Sequence, residues 1–75
     1  MFEAFVLLHL EGPSKVKELL KVEGVVEACA VEGEYDALVR LRAETLEKLK
    51  ENAHVMRRLG FVRSTATMIV HRNKL

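Results

Sequence analysis

Residues 25–42 read VVEACAVEGEYDALVRLR, and this stretch decides the fold. Tyr35, Ala37, Val39 and Leu41 alternate with Asp36, Leu38, Arg40 and Arg42. A period of two marks a strand whose two faces meet different surroundings. Val25 to Glu32 reads as a strand just before it, and Gly33-Glu34 as the turn that joins the two. The middle of the chain is therefore read as an antiparallel hairpin.

Upstream, residues 2–10 (FEAFVLLHL) form an apolar run rich enough for a buried strand. Gly12 and Pro13 stop it. Proline suits the first helical position, where its missing amide hydrogen would have no partner anyway. Val16, Leu19 and Leu20 then recur at helical spacing between lysines, a short amphipathic helix that Gly24 ends. Downstream, Glu44 opens a second helix with Leu46, Leu49, Ala53, Met56 and Leu59 in one stripe and Gly60 as its stop. Val62 to Arg72 closes the chain as a strand, with Ala66, Met68 and Val70 on one face.

The order is β-α-β-β-α-β in a single domain over residues 1–75, without linker or repeat. Each β-α-β crossover is right-handed and leaves a gap that a third strand fills antiparallel. The expected fold is α+β and ferredoxin-like: a four-stranded antiparallel sheet with two helices on one face. The first strand, however, is apolar on both faces, with Phe2, Ala4, Val6, Leu8 and Leu10 on one and Phe5 and Leu7 on the other. Two helices cover only one face. Burying Phe5 and Leu7 is worth roughly 1.5–3 kcal/mol each, so a second chain is expected as cover, in a dimer packed sheet to sheet.

Composition narrows the function classes. A chain this short buries only about 60% of the surface its unfolded form exposes, yet 49% of its residues are hydrophobic, which again favours a partner. No apolar run approaches the ~18–20 residues of a membrane span. The N-terminus shows no secretory signal pattern. Cys29 is the single cysteine, so no intrachain disulfide forms, which fits a cytoplasmic protein. Its apolar neighbours Ala28, Ala30 and Val31 suit a core residue rather than a thiol catalyst. The net charge of +1 divides into −5 over residues 1–37 and +6 over residues 38–75. Folding that interleaves the halves would cancel most of this field; otherwise the basic half faces a polyanion.

Residues 25–36, continuing as Leu38-Val39-Arg40-Leu41, and residues 62–70 (VRSTATMIV) together resemble the C-terminal effector domain, or RAM domain, of the Lrp/AsnC transcription regulators. In that family a strand enters a Gly-x-Tyr-Asp turn and the final strand carries Val-x-x-Thr-x-Thr. The chain starts at the first strand of such a domain, so it resembles the stand-alone forms, and direct sequence-specific DNA binding is not expected. It departs from the family in placing Phe61 between Gly60 and Val62. The resemblance implies a homodimer by sheet packing, assembly into an octamer or decamer ring, and a free amino acid bound between dimers. Mixed assembly with full-length Lrp/AsnC regulators is a further implication. Gly33, Glu34, Tyr35 and Asp36 match the turn, and Thr65 and Thr67 the closing strand.

A free amino acid is a zwitterion and needs an acceptor for its ammonium and donors for its carboxylate. Asp36 suits the first through a charge-assisted bond, and backbone amides around Gly33 and Glu34 suit the second. The plainer reading makes Gly33 a turn glycine and Asp36 a cap on the turn's own amides. Tyr35 either walls a pocket or packs at the strand edge. Thr65 and Thr67 either offer hydroxyls or serve as β-branched strand formers.

His9 and His71 fall at opposite ends of antiparallel strands and His54 on a helix, so no metal site is expected. Arg57, Arg58 and Arg63 make the best case for nucleic acid, but cations at a helix end also complement its dipole, and no aromatics interleave. No catalytic set is identifiable, so the expectation is a regulatory binding module and not an enzyme, with no cofactor beyond the amino acid. The alternative is a dimeric α/β-barrel enzyme, which would place a polar cavity between sheet and helices.

Overall fold

A computed structural model describes residues 1–12 and 15–71. It contains β1 (Phe2–Leu10), α1 (Val16–Leu19), β2 (Val25–Ala30), β3 (Ala37–Ala43), α2 (Leu46–Arg57) and β4 (Val62–Val70). The four strands form one antiparallel sheet in the order β2-β3-β1-β4. Each crossover therefore skips one strand, which is the ferredoxin-like arrangement. The expected position of Pro13 and the expected end of the last strand at Arg72 lie outside the described residues.

One face of the sheet carries the core. Ala4, Val6 and Leu8 of β1 and Val39 and Leu41 of β3 are completely buried, and Leu49 and Met56 of α2 and Leu19 of α1 cover them. α2 is fixed at its start by Thr45, whose Oγ1 accepts the N–H of Lys48 at 3.1 Å. That bond satisfies one of the donors a helix leaves unpaired at its first turn. The expected stripe from Leu46 to Leu59 is the face that packs on the sheet.

α1 is shorter than the lysine-spaced pattern suggests. It makes one turn, and Leu20 is 53% exposed beyond it, outside the stripe to which the spacing assigned it. Turns closed by Lys21 N–H to Glu18 O and Val22 N–H to Leu19 O swing the chain back toward β2 before a second helical turn forms. β2 also stops early, at Ala30 instead of Glu32; one further bond, Val31 N–H to Asp36 O at 3.0 Å, follows its last rung and closes a loop over 31–36. The turn is thus wider than Gly33-Glu34 alone.

The other face of the sheet has no helix. Phe5, Leu7, Leu38, Ala66 and Met68 lie side by side there in register, and Met68 is 51% exposed. Beside them Arg40 pairs with Glu3 at 3.2 Å and Glu27 at 3.3 Å, and Arg42 with Glu3 at 3.6 Å. Acidic residues of the first half of the chain thus meet arginines of the second, as an interleaved sheet requires.

Candidate functional site

The 31–36 loop is tied to the end of β1 by two bonds from Asp36. Its backbone N–H donates to Leu8 O at 2.9 Å, and its Oδ2 accepts the N–H of Leu10 at 2.8 Å. The β1–β3 ladder ends at Leu8 and Ala37, so the carboxylate extends the pairing past the last ladder rung. Oδ1 has no partner among the described residues. Gly33 sits at φ 131°, a region that favours glycine, but a Cβ there would touch nothing. Its role is conformational, and Gly33 and Glu34 both lie open to solvent.

Tyr35 stacks on His9, with ring centroids 4.5 Å apart and planes 15° from parallel. His9 Nε2 bonds the carbonyl of Glu34, and Nδ1 lies 2.6 Å from Ser64 Oγ. A carbonyl only accepts, so Nε2 carries the hydrogen, and in the neutral ring Nδ1 accepts from the Ser64 hydroxyl. His9 thereby joins β1, the turn and β4 on the helix-free side of the sheet. The only hint in the sequence is a polar residue next to the end of a mainly apolar strand.

Thr65 and Thr67 point the other way. With Ile69 of β4 and Ala53, His54 and Arg57 of α2 they line a cleft of about 300 Å³ on the helix side of the edge strand. Within one chain, the structure therefore separates the two predicted groups: Tyr35 on one sheet face, the threonines on the other, with β1 between Ala37 and Thr65. A ligand touching both groups needs two chains. Arg57 and His54 belong to this cleft, while Arg58 and Arg63 are exposed outside it.

Among the described residues no three His, Cys, Asp or Glu side chains converge to hold a metal ion. No helix is long and apolar enough to cross a membrane. The family model for the Lrp/AsnC ligand binding domain matches residues 3–74. The chain belongs to this family. FFRP-DM1 is a similar solved structure, with TM-score 0.83 and 31% identity over 95% of this chain and 100% of that one. A hypothetical protein from Pyrococcus horikoshii, PHS023, gives TM-score 0.83 and 30% identity over 97% and 93% of the two chains. A feast or famine regulatory protein from M. tuberculosis, solved in complex with L-methionine, shares the fold at TM-score 0.75 and 23% identity. The Lrp/AsnC domain described here spans 52% of that longer chain. No curated protein is significantly similar to the chain.

Proposed function

We propose that this Lrp/AsnC domain is a non-catalytic regulatory and oligomerisation module that binds a free small amino acid where dimers meet. The observation that carries the reading is the separation of the turn from the threonines. Asp36 Oδ1 and the amides of Gly33 and Glu34 offer the polar groups a zwitterion needs, but the hydroxyls of Thr65 and Thr67 face the opposite side of the sheet. Two chains brought edge to edge would supply both halves. The uncovered face with Phe5, Leu7 and Met68 suits the closer dimer contact, sheet to sheet. Dimers would then assemble into an octamer or decamer ring, and full-length regulators carrying the same domain are the natural partners for mixed assembly.

The mycobacterial relative that holds L-methionine supports an amino acid as effector. A single half-exposed cysteine accords with a cytoplasmic setting. The alternative of a dimeric α/β-barrel enzyme calls for a polar interior, whereas Asn52 alone is polar among the buried residues described.

Native mass spectrometry with and without a pool of the twenty amino acids tests the reading. The expected result is a ring that gains at least one amino acid mass per chain, with one mass per chain fewer in the Asp36→Asn variant. A protein that stays monomeric at micromolar concentration sinks the proposal at its base.

A further inference from the structure

The opposite end of the sheet holds a cleft that neither the turn nor the threonines touch. It lies where β2 begins, β3 ends and α2 starts, and measures about 380 Å³. The seven residues of β3 separate it from the 31–36 loop, a distance of about 20 Å at ~3.3 Å per strand residue.

Asn52 forms the floor. It is 4% exposed, and its carboxamide has no hydrogen-bond partner among the described residues. No side-chain polar atom among them is both fully enclosed and unpartnered, so the amide opens into the cleft. Gly24 makes room for it: a Cβ at that position would fall 2.6 Å from Asn52 Nδ2. A carboxamide offers two donor hydrogens and an acceptor oxygen at one point, and buried polar groups of this kind are nearly always bonded.

The rim carries one cation and two carboxylates. Lys48 Nζ lies 3.4 Å from Glu23, and Glu44 stands beside them. Arg42 contributes backbone, because its guanidinium reaches Glu3 on the helix-free face. A bare anion would be repelled by two carboxylates and a simple cation by Lys48. A zwitterion satisfies both, and it would enter an exposed ion pair that itself contributes little.

We propose that this cleft is a second amino-acid site, in which Lys48 and the Asn52 amide hydrogens take the α-carboxylate while Glu23, Glu44 and the Asn52 carbonyl take the α-ammonium. The site stands apart from the one formed at the turn and needs only one chain.

Isothermal titration of the assembled protein with each of the twenty amino acids in turn tests it, on the wild type and on Asp36→Asn, Asn52→Ala and Lys48→Met. The expected pattern is two sites per chain in the wild type; the cleft site persists in Asp36→Asn, is lost in Asn52→Ala and is weakened at least tenfold in Lys48→Met, while the turn site remains in the last two variants. Lys48 is half-exposed on the rim, so its variant decides the matter even if Asn52→Ala fails to fold. Loss of all binding in Asp36→Asn, or wild-type binding in Lys48→Met, overturns the second site. Loss of all binding in Asn52→Ala, with wild-type binding in Asp36→Asn, keeps it and removes the turn site instead. A wild type that binds no amino acid overturns both.

Discussion

The carboxylate of Asp36 accepts the backbone N–H of Leu10 at 2.8 Å, fastening the loop to the last residue of β1. That amide is partly buried, and leaving it without a partner costs about 1–3 kcal/mol. Asp36→Ala is therefore expected to lower the unfolding free energy measured in urea by that amount, while Asp36→Asn, which keeps an acceptor oxygen, loses less. Equal losses in the two variants would show that the bond to Leu10 carries no stability.

Gly24 and Gly33 both adopt positive φ but meet different surroundings. Gly33→Ala strains the backbone alone, at about 1–3 kcal/mol. Gly24→Ala adds overpacking against Asn52 Nδ2, a further ~1–3 kcal/mol. Chemical denaturation of both variants should rank Gly24→Ala as the more damaging, and the reverse order would contradict the close approach at Asn52.

Thr45 caps α2 through Lys48 N–H. Thr45→Ala is expected to cost about 1 kcal/mol, and Thr45→Ser to restore most of it. Thermal unfolding followed by circular dichroism reads both, and a silent Thr45→Ala would mean that water replaces the cap without loss.

Leu7 lies between Leu38 and Ala66 in the middle of the helix-free face. If that face is the dimer contact, Leu7→Asp places a charge within it, and the protein should sediment as a monomer with its circular dichroism retained. An assembly of wild-type size would place the contact elsewhere.

How far the sequence reveals this molecule depends on the range of the interaction. β1 occupies residues 2–10, as its apolar run indicates, and the stripe from Leu46 to Leu59 packs as its spacing requires. Those patterns are local and periodic. The loop over 31–36 and the single turn of α1 depart from the local pattern because both are set by where the chain must next dock, through Asp36 on Leu8 and Leu10 and through the reversal after Leu20. The link from His9 to Ser64 and the seating of Asn52 beside Gly24 were not legible at all. Each joins residues distant in sequence, and strand register or helix docking creates the contact. Thr65 and Thr67 share a face, as their spacing indicates, but no pattern tells that Tyr35 ends on the other.

The central place of β1 has a consequence for how the molecule comes into being. Its two neighbours are β3 and β4, and its pairing with β4 joins residue 3 to residue 70. During synthesis the first strand to emerge must therefore wait for the last before both its edges are occupied. Contacts of such long sequence separation make folding slow. Until they form, an apolar strand offers a free row of backbone donors and acceptors to any neighbouring chain. Truncation within residues 62–70 would make that transient state permanent, and the expected product is insoluble aggregate rather than a smaller folded domain.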